Sequence, residues 1–170
     1  MDNKMQLDSP LQPVRMQPSD LEDVLAIEKA SFASPWSRDM FLEELDNRNA
    51  RLLVFQLEGK LVGYICFWVV LDEVHIMNIA VHPEQRGRGY GRAILAYLES
   101  WCLQKGVKRL ILEVGRRNLP ARRLYRRIGF HSIGFRKQYY AVAKDDALVM
   151  EKWLGAGEEA NIDRERSETK

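Results

Sequence analysis

The sequence predicts an α+β fold: a mixed, mostly antiparallel central sheet flanked by helices, within a single domain. Three observations predict it. Residues 51–81 hold three apolar runs divided by short polar turns, the pattern of an antiparallel meander. A Gly/Arg-rich loop at 82–92 then leads from the last run into a stretch of helical periodicity. Beyond it the chain reads strand, helix, strand, strand, which supplies a parallel crossover and a closing hairpin.

Taken in order, residues 11–16 form a first short strand. Ser19-Asp20-Leu21-Glu22 fits a capping box, and Leu21, Val24, Leu25 and Glu28 continue a helical pattern. Phe32-Ala33-Ser34-Pro35-Trp36-Ser37 interrupts it. A second helix is expected from near Ser37, carrying Met40, Phe41 and Leu45 inward. Residues 51–57 and 61–71 are strands rich in Val, Leu, Ile and aromatics, joined by a turn at Glu58-Gly59-Lys60. Asp72-Glu73 turns the chain again and 74–81 returns. Ile94, Leu95, Leu98, Trp101 and Cys102 form the apolar face of the next helix, which Gly106 closes. Residues 109–114 form a short strand, and 118–128 a helix with Ala121, Leu124, Tyr125 and Ile128 on one face. Residues 130–140 and 147–153 pair across a loop at 141–146. The domain therefore spans 11–154, after a flexible segment at 1–10 and before a charged tail at 155–170 expected to be disordered.

Composition excludes several classes. At 170 residues, 46% apolar and 29% charged, the chain suits one soluble domain with one core. A net charge of +2 gives no global reason to expect direct contact with nucleic acid. No run of 18 apolar residues exists and residues 1–8 lack an apolar signal core, so no membrane association and a cytoplasmic location are expected. Cys66 and Cys102 lie inside apolar segments and read as buried free thiols. His75, His82 and His131 show no metal-ligand spacing, so no metal is implied.

The loop Arg86-Gly87-Arg88-Gly89-Tyr90-Gly91-Arg92 carries the first functional signal. A helix's first turn has unpaired N–H groups and partial positive charge, which suits a phosphate, and glycines let the backbone approach it. A glycine-rich connector without a ligand is the plain alternative. A dinucleotide fingerprint needs glycine where Arg92 stands, and a Walker loop needs a Gly-Lys-Ser/Thr that is missing.

What remains, Arg86-x-x-Gly89-x-Gly91 after a strand, resembles the pyrophosphate-binding motif of the GNAT superfamily of acetyl-coenzyme A-dependent N-acetyltransferases. The element order over residues 11–154 is also similar to theirs. Ser34-Pro35-Trp36-Ser37, Leu71-Asp72-Glu73, Asn78-Ile79-Ala80-Val81, Leu112-Glu113-Val114, Ala121-x-x-Leu124-Tyr125-x-x-Ile128-Gly129-Phe130 and Tyr139-Tyr140 together look like the RimI type. Those bacterial enzymes acetylate the N-terminal alanine of a small-subunit ribosomal protein, the eighteenth. Gly115 and Arg117 depart from the family pattern, which usually has Arg and Ser there.

The resemblance implies a GNAT fold, acetyl-CoA as co-substrate, and a protein N-terminal peptide from a ribosomal protein as acceptor, acetylated by direct attack in a ternary complex. It implies Glu113 as proton acceptor and Tyr125 as donor to the leaving thiolate. Asn118 and the backbone of Ile79, Ala80 and Val81 would hold the pantetheine arm. Arg86 and the N–H groups of Gly87, Arg88, Gly89, Tyr90, Gly91 and Arg92 would hold the pyrophosphate. Glu73, Tyr139 and Tyr140 would line the acceptor side.

Each residue also has a plainer reading. In Leu110-Ile111-Leu112-Glu113-Val114, Ile111 and Glu113 face opposite to their neighbours, so Glu113 is either an exposed or paired strand carboxylate, or a base tuned by burial. Tyr125 sits on an apolar helix face like any core aromatic, and Asn118 suits an N-cap. Glu73, Tyr139 and Tyr140 alone would be a turn acid and two strand aromatics. Arg116, Arg117, Arg122, Arg123, Arg126 and Arg127 read as a solvated face, as partners of the cofactor's 3′-phosphate, or as contacts to an RNA-associated substrate. Two other functions stay open: acetylation of lysine or a small-molecule amine, and a non-catalytic coenzyme A-binding module. The presence of both Glu113 and Tyr125 favours an enzyme.

Overall fold

The computed structural model describes residues 11–140 and 145–155. Strands β1 (Gln12–Arg15), β2 (Ala50–Leu57), β3 (Lys60–Val70), β4 (Glu73–Val81), β5 (Arg109–Gly115), β6 (His131–Tyr140) and β7 (Asp145–Trp153) form one sheet. Their order is β1-β2-β3-β4-β5-β7-β6, and only β4 and β5 run parallel. The helices are α1 (Leu21–Ser31), α2 (Arg38–Asp46), α3 (Tyr90–Gln104) and α4 (Leu119–Arg127). The expected fold class is the observed one. The segments at 1–10 and beyond Gly155 lie outside the described residues, as does most of the expected loop at 141–146.

Alternation along β3 divides the core in two. Tyr64 and Cys66 face α1 and α2, where Leu21, Val24, Ile27 and Phe41 are buried. Ile65 and Phe67 face α3, against Ile94, Leu95 and Leu98. Both cysteines are buried free thiols, and burial pushes the Cys102 thiol up to about 12.

Two local expectations are corrected. Helix α1 does not begin with a Ser19 capping box: Pro18 starts a 3-10 turn one residue earlier, and the Asp20 carboxylate accepts from the Gln17 N–H at 2.7 Å. In α2, whose N-cap Ser37 accepts from the Met40 N–H, Phe41 enters the core but Met40 is exposed. One helical step of 100° separates them, and Phe41 takes the position between Trp36 and Tyr64. The closing hairpin is antiparallel as expected, and it sets β7 between β5 and β6.

A bulge in β4 positions the functional region. Cys66 pairs with Asn78 and Phe67 with Ile76, so Met77 has no partner in β3. Val74 and Ile76 therefore face α3, while Asn78 and Ala80 turn to the α1 side. The β3 backbone lies close at this point. A Cβ on Gly63 would stand 2.7 Å from the Ala80 carbonyl oxygen, which excludes every larger residue.

Candidate active site

Strands β4 and β5 stay paired only from Glu73↔Arg109 to Ile76↔Leu112. Beyond the bulge they part, and a cleft of about 300 Å³ opens between them. Its walls include Glu28 and Trp36 from the α1 side, Asn78 and Ile79 from β4, and Glu113 and Tyr125 from β5 and α4. The β5-facing backbone edge of β4 from Met77 onward carries no ladder, so it is open to a chain with amide groups. Of the residues expected along that edge, Ile79 lines the cleft. Ala80 buries its side chain toward α1, and the Val81 carbonyl accepts from Arg86.

Glu113 and Tyr125 reach the same cleft from different elements. On β5, residues 110, 112 and 114 are buried and the odd positions are not, so Glu113 stands on the face free of α3. It is half-buried, and its Oε1 lies 3.2 Å from Nε of the mostly exposed Arg136 on β6. Tyr125 is buried on the inner face of α4, with its ring 5.8 Å from that of Phe130. The plainer readings, ion pair and core aromatic, thus hold together with places in the cleft wall. Asn118 is likewise the N-cap of α4, accepting from the Ala121 N–H at 3.3 Å, and a lining residue.

The Gly/Arg loop ends at the uncapped start of α3. Gly89 is the N-cap at φ 85°, in the left-handed region that favours glycine, and Gly87 has φ 76°. No side chain caps α3 and no acid stands in its first turn, so the N–H groups of Tyr90, Gly91 and Arg92 lack helical partners. The Arg88 and Arg92 side chains are exposed beside them. Such an end fits a pyrophosphate. Arg86 is placed differently: its guanidinium donates to the Val81 carbonyl at 3.1 Å and to Ser31 Oγ at 2.7 Å, tying the loop to the end of α1.

Glu73 is not brought to the cleft. It pairs with Arg109 and His75 at the start of β4, five residues and roughly 16 Å of strand from Asn78. The side chains of Tyr139 and Tyr140 lie outside the described residues. Among the described residues no cluster of His, Cys, Asp or Glu could hold a metal ion.

Sequence reasoning missed Glu28 as a site residue. It is 1% exposed, accepts from the Trp36 N–H at 2.8 Å, and is hydrogen-bonded by the Tyr64 hydroxyl and the Asn78 amide. Burial, reinforced by the Glu28 carboxylate, holds the Tyr64 phenol far above its usual range, so it remains a donor. The cluster fixes the 32–36 loop against the sheet at the cleft mouth. Glu28→Ala leaves three donors without an acceptor and is expected to cost roughly 2–4 kcal/mol of stability. Glu28→Gln, which keeps one acceptor oxygen, should cost less. Urea unfolding reads both, and a loss below about 0.5 kcal/mol for the alanine variant would deny the cluster its structural weight.

Known proteins resemble this chain over most of its length. The model of the acetyltransferase (GNAT) family matches residues 21–130. A Bacillus subtilis protein, provisionally named a [ribosomal protein bS18]-alanine N-acetyltransferase, is 40% identical over 144 residues, covering 84% of this chain and 94% of its own. The Escherichia coli K12 [ribosomal protein bS18]-alanine N-acetyltransferase is 37% identical over 139 residues, 79% of this chain and 92% of its own. The crystal structure of an Escherichia coli enzyme of that name superposes with a TM-score of 0.78 at 30% identity, covering 86% of this chain and 97% of the other.

Proposed function

The chain belongs to the GNAT acetyltransferase family, and from that premise we propose that it transfers the acetyl group of acetyl-CoA to the N-terminal alanine of ribosomal protein bS18. The observation that carries the chemistry is that Glu113 and Tyr125 line one cleft, where β4 and β5 part. Acetyl-CoA supplies an activated acetyl group. Its pyrophosphate fits the N–H groups at the start of α3, and its pantetheine arm the free edge of β4 together with Asn118. Glu113 takes the proton of the attacking α-amine, and the Tyr125 hydroxyl gives one to the departing sulfur. A phenol of pKa about 10 can protonate a thiolate of pKa about 8.5 when the two are adjacent, because the transfer is only mildly uphill. A ribosomal acceptor places the reaction in the cytoplasm.

The acceptor follows from proton chemistry and from the relatives' names. An α-amine has pKa about 8 and a lysine amine about 10.4, so near neutrality the α-amine offers over a hundredfold more free base. A panel of peptides beginning with Ala, Ser or Met, plus one with internal Lys and a blocked N-terminus, separates the possibilities by mass spectrometry. Ala-initiated peptides matching bS18 should react fastest. Efficient lysine acetylation with no N-terminal product would transfer the assignment to a lysine acetyltransferase.

A further inference from the structure

The arginines are distributed less evenly than the net charge suggests. Nine of the 26 Lys and Arg stand in residues 86–92 and 115–128, and none of the 24 Asp and Glu does. The fold brings these two segments together, since a Cβ on Gly91 in α3 would lie 3.3 Å from Leu124 Cδ2 in α4. The rest of the chain is consequently net acidic, and one surface holds a concentrated positive charge.

Helix α4 shows how that surface is made. Ala121, Leu124, Tyr125 and Ile128 pack toward the core, which leaves Arg123, Arg126 and Arg127 exposed on the opposite side. Among the described residues no carboxylate pairs with these three, nor with Arg88 or Arg92. Arg123 and Arg127 stand at i, i+4, and Arg123 and Arg126 at i, i+3, where like charges repel. The helix dipole favours Arg126 and Arg127 in the last turn, but it opposes Arg116 and Arg117 ahead of the N-cap. Helix stability therefore does not explain the arrangement, whereas a bound polyanion would relieve it.

We propose that the outward face of α4, with Arg123, Arg126 and Arg127, docks the protein on the phosphate backbone of RNA. The composition favours that occupant. All nine cations are arginine, whose planar fork grips phosphate oxygens in pairs. No exposed aromatic is interleaved with them, so phosphates and not stacked bases are read. A membrane surface would need an apolar face to insert, and the apolar stripe of α4 is already spent on the core. The net charge of +2, on which the expectation of no nucleic-acid contact rested, averages this patch with an acidic remainder. The proposal is independent of which amine is acetylated.

The test is fluorescence anisotropy of a labelled RNA hairpin between about 50 and 200 mM salt. It compares wild type with the triple variant Arg123→Gln/Arg126→Gln/Arg127→Gln, each with and without saturating acetyl-CoA. None of these three residues lines the cleft, so the melting temperature, peptide acetylation and the KM for acetyl-CoA should stay near wild type. Affinity for the hairpin should fall at least about tenfold, and the slope of log K against log salt should shrink by about 2 to 3. RNA should bind whether or not acetyl-CoA is present. Unchanged affinity and slope in the triple variant would overturn the proposal, as would a wild-type protein that fails to bind at the lowest salt. Displacement of the hairpin by acetyl-CoA, with a raised KM for acetyl-CoA in the variant, would overturn it too and give the arginines to the cofactor's phosphates.

Discussion

Glu113→Gln is expected to lower kcat by roughly 10²-fold or more while leaving acetyl-CoA affinity near wild type. Glutamine keeps the size and the cleft wall but cannot accept a proton. The substitution also breaks the pair with Arg136, whose side chain is 63% exposed. Such a screened pair contributes at most about 1 kcal/mol, so the variant should fold and the loss will not be one of stability. The residual rate should climb as pH approaches the α-amine's own pKa of about 8, where free amine becomes abundant without a base. Tyr125→Phe supplies the contrast. It preserves the ring packing on Phe130 and removes only the hydroxyl, so its loss should also fall on kcat. Raised pH gives less relief there, because the missing donor is not replaced. Stopped-time assays across pH 6–9 separate the two profiles. Wild-type kcat in Glu113→Gln at pH 7 would make the carboxylate structural and its pairing with Arg136 its whole role.

The two profiles depend on a cleft only partly legible in the sequence. Alternation placed Glu113 opposite Leu112 and Val114, and helical spacing placed Tyr125 inward, because both rest on nearest-neighbour geometry. That the two share one cavity depends on where β4 and β5 part. The bulge at Met77 sets that point, and no glycine or proline in Ile76-Met77-Asn78 announces it. Glu28 reads locally as one more position of α1. Its partners Tyr64 and Asn78 stand 36 and 50 residues away, so only the closed sheet makes it a buried acceptor. Met40 and Phe41 were both apolar candidates, and the ring pocket between Trp36 and Tyr64 selected one of them. The place of β7 inside β6 likewise could not be read from a hairpin whose strands are both apolar. Local chemistry carried the element order; long-range closure decided the rest.

Gly89→Val is expected to abolish the stabilisation that acetyl-CoA confers. Ligand at about a hundred times its Kd adds roughly 2.7 kcal/mol to the folded state, which for a domain of this size raises Tm by about 5–10 °C. Gly89 needs its φ of 85° to turn the chain into α3, and a Cβ there would meet nothing within 4 Å. The restriction is therefore conformational. A β-branched residue in that region is strained by roughly 1–3 kcal/mol, and the loop relieves the strain by leaving the conformation that aims the N–H groups of residues 90–92 outward. Gly91→Ala is the matched control. Gly91 has no positive φ, and its added Cβ would meet the end of the flexible Leu124 side chain at 3.3 Å and Val81 Cγ2 at an ordinary 3.9 Å. It should keep most of the acetyl-CoA shift after a small adjustment of Leu124. Differential scanning fluorimetry with and without acetyl-CoA reads both variants against their own unliganded Tm, so a general loss of stability cancels. A full acetyl-CoA shift in Gly89→Val would show that the pyrophosphate is held elsewhere, and the uncapped start of α3 would then be only the end of a helix.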